Sequence, residues 1–143
     1  MLTYAIQKVG YDFDRTDLQG STDLAGFLTV IDGFPWAQQQ RAWDADQEGP
    51  MPQLVLENAD DQRQLWITAL GTAGAGEAFQ LQSVSSQMRK SLFGKPKLQR
   101  DVTVFDVHER RTLDQLCTLF CEGSYEALDR EAQRLESLSG DED

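Results

Sequence analysis

The side chains able to do chemistry are few in this chain, and their spacing joins none of them into a recognisable constellation. His108 is the single histidine, followed by Glu109, Arg110 and Arg111. General acid–base or nucleophilic catalysis through it would need an orienting partner and a nucleophile. No spacing along the chain supplies either, and a surface position at the end of a strand is expected. A structural zinc ion would want several Cys and His ligands at recurring intervals, which one histidine and two cysteines on a different element do not offer.

The carboxylates Asp12, Asp14 and Asp17 suggest a calcium or magnesium loop at first sight. A helix–loop–helix calcium site needs a glycine at its sixth position and a bidentate Glu at its twelfth. Counted from Asp12, those places hold Asp17 and Asp23. A solvated acidic loop is expected, with contact to Lys or Arg of a partner as its functional use. Gly71, Gly74 and Gly76 lie close enough to cradle a phosphate on backbone N–H groups. A strand-like segment follows them instead of a helix, and no Lys-Ser or Lys-Thr comes after, so a hairpin connector is expected.

Cys117 and Cys121 stand four apart on one helix surface and read as reduced thiols. Cys121, near the helix end, is the more accessible, and that position raises a thiolate's pKa. Trp36, Trp43 and Trp66 are large aromatics of the kind that dominate both cores and interface hot spots. Trp66 points opposite Leu65 and Ile67 in its strand, which requires either a sheet covered on both faces or a contact surface around Trp66.

The elements that must position these residues follow from periodicity. Leu2, Tyr4 and Ile6 alternate as in a half-buried strand. Gly10 to Gly20 is acidic and turn-rich. Ser21 or Thr22 is the expected cap of a helix whose Leu24, Phe27, Leu28 and Ile31 share a face and which stops at Gly33. Pro35 is placed to open a second helix carrying Trp36 and Trp43 on one side. Residues 54–57 and 65–70 form a hairpin across a polar turn. Residues 78–84 and 102–107 supply two more strands, with a long loop expected from Ser85 to Lys97. Thr112 and Gln115 have capping-box spacing before the stripe Leu113, Leu116, Cys117 and Phe120. Ser124 then caps a helix with Tyr125, Leu128, Ala132 and Leu135 on one face. The reading is a single α+β domain over residues 1–138 with a flexible acidic tail at 139–143. Its antiparallel sheet has about five strands, with N-terminal helices inserted after the first strand and two C-terminal helices packed on the sheet.

At 143 residues the chain can bury roughly 70% of the surface its unfolded form exposes, so no disulfide or metal is needed for stability and no cofactor is expected. No apolar run approaches the ~18 residues of a membrane span. The first residues lack a basic segment followed by an apolar one. A cytoplasmic protein without a membrane partner is expected.

The net charge is −11, and it is unevenly spread. Residues 1–80 hold 12 acids against 4 bases, 81–111 hold 3 against 7, and 112–143 hold 9 against 2. Two negative blocks thus flank a basic island of Arg89, Lys90, Lys95, Lys97 and Arg100. Such a field opposes binding to nucleic acid or anionic membrane except at that island, and favours a basic protein partner.

Residues 34–43, residues 52–57 together with 65–71, and residues 116–128 resemble segments of small immunity proteins from bacterial polymorphic and contact-delivered toxin systems. The resemblance is one of overall style and runs across most of the chain. It implies a non-enzymatic inhibitor that binds a cognate toxin, often through acidic side chains laid over a basic active site. Joined to the charge pattern, it makes a protein-binding role the expectation. The candidate contacts are Asp12, Asp14, Asp17, Trp36, Trp43, Asp44, Asp46 and Glu48. The alternatives are a small hydrolase-like enzyme with a carboxylate pocket and an adaptor subunit of a larger assembly.

Overall fold

A computed structural model describes residues 2–12, 15–46, 51–70, 78–89 and 94–140. In chain order the elements are β1 (Leu2–Gln7), β2 (Asp17–Ser21), α1 (Leu24–Gly33), α2 (Trp36–Asp46), β3 (Gln53–Asn58), β4 (Arg63–Ala69), β5 (Phe79–Arg89), β6 (Lys97–Val107), α3 (Arg110–Cys121) and α4 (Tyr125–Gly140). The architecture is α+β, with six antiparallel strands in the order β2-β1-β3-β4-β5-β6. Strands β3 to β6 form a meander. No described helix is long and apolar enough to cross a membrane.

Register sorts the side chains. Leu54 faces Ile67, Leu56 faces Leu65, and Leu81 stands between Ile67 and Phe105. These residues form one buried layer with Phe27 and Ile31 of α1, Leu113, Leu116 and Phe120 of α3, and Leu128 and Ala132 of α4. Helices α1, α3 and α4 therefore cover one face of the sheet. Helix α2 is fastened at one end of it: Gln39 Oε1 accepts from Val9 N at 3.0 Å, and the Gln40 amide donates to the Ala69 carbonyl.

Five details depart from the sequence reading. The sheet has six strands and not about five, because Asp17–Ser21 pairs with β1. That segment holds one apolar residue, Leu18, which points to solvent, so alternation could not mark it. Of the loop expected from Ser85 to Lys97, Ser85 to Arg89 and Lys97 instead belong to β5 and β6, which pair without interruption from Phe79↔Val107 to Arg89↔Lys97, and residues 90–93 lie outside the described residues. The cap of α1 is Asp23, whose carboxylate accepts from Gly26 N at 2.8 Å. Helix α3 starts two residues before Thr112, after Glu109, with no side-chain cap bond. Residues 139 and 140, expected in the tail, close α4.

Arg63 holds the two layers together. Its guanidinium, buried on the helix side of β4, makes a two-pronged contact with Asp129 of α4 at 2.5 and 3.2 Å. It also donates to Ser83 Oγ at 3.2 Å and lies 4.8 Å from the centre of the Tyr125 ring.

Candidate interaction face

The other face of the sheet carries none of the described helices. Alternation puts Thr3, Ala5 and Gln7 of β1 here, with Gln53, Val55 and Glu57 of β3, Gln64 and Trp66 of β4, Gln82 and Val84 of β5, and Arg100, Val102 and Val104 of β6. Trp66 sits between Val55 and Gln82, and Gln82 between Trp66 and Val104. Leu18, Leu98, Val102 and Val104 are 69%, 62%, 45% and 43% exposed.

The face is hollow. Gln7 of β1 and Leu98 and Arg100 of β6 line one cavity of about 560 Å³, together with Gln53, Gln64 and Trp66. In a flat sheet, four strand spacings would separate β1 from β6 by about 19 Å. The sheet is therefore coiled, in the sense that strand twist imposes, and brings opposite corners toward each other over Trp66. A second recess of about 230 Å³ adjoins it, bounded by Leu18, Val55, Glu57 and Trp66.

The polar groups of the floor are largely tied to one another. Trp66 Nε1 donates to Gln64 Oε1 at 2.9 Å, and the Gln64 amide donates to Glu57. Gln53 Nε2 reaches Gln7 Oε1 at 3.5 Å, and Gln7 Nε2 donates to the Arg15 carbonyl at 3.1 Å. These bonds hold the indole in one orientation without an external ligand. The arrangement presents a fixed aromatic plate, an apolar border and amide edges. It suits contact with another macromolecular surface.

The sequence candidates are placed as follows. Asp12 is exposed before β2. Asp17 accepts from the Tyr11 hydroxyl at 2.5 Å and stands 3.7 Å from Arg15, whose guanidinium lies 3.9 Å over the Tyr11 ring. The bond to Asp17, reinforced by desolvation and that carboxylate's charge, raises the Tyr11 pKa. Asp14 and Glu48 lie outside the described residues. Trp36 turns inward: its indole donates to the Ile31 carbonyl at 3.0 Å, and its ring packs on Phe34 and Phe79. Trp43 is half-buried and Asp44 exposed on the same helix, which ends at Asp46. The described candidates thus stand in the β1–β2 connection, at the start of β2 and on α2, apart from Trp66 and the hollow. Leu18, Leu98, Val102 and Val104 escaped the sequence reading. The signal available was the phase of β6: Phe105 and Val107 inward put Val102 and Val104 outward.

The remaining chemistry-bearing groups are separate. His108 is exposed after β6. Burial raises the pKa of both thiols, that of Cys121 to about 11 with Asp23 and Glu122 adding to the effect. A groove of about 850 Å³ on the outside of α3 and α4 includes Asp114 and Glu131. Each is engaged by a cation on its own helix, Asp114 by Arg110 and Glu131 by Arg134. Among the described residues no three His, Cys, Asp or Glu side chains gather where they could hold a metal ion. No family model, no curated protein and no solved structure matches the chain.

Proposed function

We propose that the chain is a non-enzymatic binding protein that docks a basic protein on the open, coiled face of its sheet, and that the partner is a toxin domain which it neutralises. One observation carries the reading. A sheet covered by helices on one side leaves Trp66 anchored on the other, bordered by four exposed aliphatic side chains and by a hollow over which no described helix or strand lies. Buried aromatic anchors set the lifetime of such a complex, and the net charge of −11 speeds encounter with a cation-rich surface. The resemblance to immunity proteins supports the choice of partner class.

The test is co-expression in the native host with the product of each neighbouring gene. The expected partner is a basic protein that is toxic alone and harmless beside this chain. Trp66→Ala should abolish protection while leaving the far-ultraviolet circular dichroism unchanged. An acidic partner, or protection that survives both Trp66→Ala and Leu98→Asp, would sink the reading.

A further inference from the structure

The two edges of the sheet are built differently. Strand β2 is five residues long, faces a register break between Tyr4 and Ala5, and carries Gly20 at φ 128°. A short, irregular strand is the usual protection of an edge against further pairing. Strand β6 is neither short nor irregular, and α4 packs on its helix side. Its 11 residues pair with β5 without a bulge, contain no Gly or Pro, and would present about 36 Å of extended backbone. No turn, loop or cap bonds to its outer backbone groups among the described residues.

The open-face side chains along this edge are self-complementary, while on the helix side Asp101 comes to lie opposite the copy's Phe105. On the open face β6 reads Arg100, Val102, Val104, Asp106. When the strand pairs antiparallel with a copy of itself about a two-fold axis at Thr103, Arg100 falls opposite the copy's Asp106 and Val102 opposite its Val104. The two reciprocal contacts follow by symmetry. On the helix side Thr103 meets Thr103, a favourable cross-strand pair. Moving the axis one residue toward the N-terminus, to Val102, sets Asp106 against Leu98. Moving it on to Asp101 sets that carboxylate against its own copy. Only the register centred on Thr103 matches both charges and all four valines. Neither Arg100 nor Asp106 has an ion-pair partner within the chain among the described residues.

We infer that the chain forms a symmetric dimer through antiparallel β6–β6 pairing centred on Thr103, giving one continuous sheet of twelve strands. The second copy is the occupant of this edge, and the charge pattern selects its register. Trp66 lies two strands away on β4 and stays open in the dimer, whereas Arg100, Val102 and Val104 belong to both surfaces, so Trp66→Ala is the variant that tells the two readings apart.

Sedimentation of the full chain over a micromolar concentration series should approach twice the 16.1 kDa chain mass. Arg100→Asp alone and Asp106→Arg alone should each weaken association about tenfold or more, because each sets two like-charged pairs across the axis. The double variant should recover it. A mixture of the two single variants should form heterodimers where neither self-associates, since the exchanged charges then match. Circular dichroism checks that each variant folds, and Trp66→Ala should leave the dimer intact. A wild-type chain that stays monomeric overturns the inference. So does a dimer indifferent to both single reversals, or one that the double variant fails to restore.

Discussion

Three side-chain environments carry measurable consequences. Cys121 is half-buried near the end of α3, and its thiol is pushed up to about 11 by burial, with Asp23 and Glu122 adding to it; fully buried Cys117 is raised further still. At pH 8 the thiolate fraction of Cys121 is then about a hundredfold below that of an ordinary thiol. A disulfide reagent should show one slow site and one that reacts only on unfolding. Tyr125 is raised to about 12 by burial and by its 2.7 Å bond to Asp61. A raised phenol contributes stability that is fully present below its unfolded value of about 10 and is lost as pH rises through about 12. Ultraviolet titration should place one tyrosine in that high range, and Tyr125→Phe should flatten the alkaline loss of stability. The Arg63–Asp129 pair is lopsided, its cation buried and its carboxylate half in water. Asp129→Ala strands a charge in the interior, whereas Arg63→Met leaves a carboxylate that solvent can reach. In urea denaturation the first should cost more than the second by about 1 kcal/mol or more.

At the level of elements, the parts legible in the sequence are those whose own pattern faces the core. The stripe of α1 and the Leu113 to Phe120 stripe of α3 each have one buried side, the alternating Leu2, Tyr4 and Ile6 of β1 pack half-buried against the same core, and each lies where periodicity put it. Strand β2 and the outer arms of β5 and β6 were not legible because backbone pairing holds them while their side chains face water or the open hollow. Trp66 was visible as an aromatic on the wrong phase of its strand. The hollow around it was not, since it depends on how the whole sheet coils. The link from Arg63 to Asp129 spans 66 residues, so no local spacing announces it. The cap of α1 shows the same limit on a smaller scale. Ser21, Thr22 and Asp23 are all competent caps, and the pairing of Ser21 with Thr3 commits the first to the sheet. Asp23→Ala should lower stability by about 1 kcal/mol, read from the denaturation midpoint, and Ser21→Ala by much less.

The whole molecule carries its charge against its own compactness. Five ion pairs join described residues, and they use few of the 24 acids against 13 bases. Repulsion among exposed carboxylates runs through solvent, where salt screens it over about 10 Å at 0.1 M. Salt weakens the attractive pairs as well, but the excess of 11 negative charges makes repulsion the larger sum at pH 7. Raising ionic strength from low to physiological should therefore raise the thermal midpoint, by about 3 °C for a gain near 1 kcal/mol. Near the isoelectric point of about 4.4 the repulsive excess is gone, and the same salt should leave the midpoint unchanged or lower it. Glu131, held below its usual range by its bond to Arg134, works against the rise at pH 7. Its contribution is present above about pH 4.5, is lost as pH falls through its depressed value, and adds to the attraction that salt removes. Calorimetry at two salt concentrations and both pH values separates the cases. A midpoint that falls with salt at pH 7 would mean that local pairs such as Arg63–Asp129 outweigh the net field. The acidity would then act chiefly on encounter with a basic partner, and hardly on the fold.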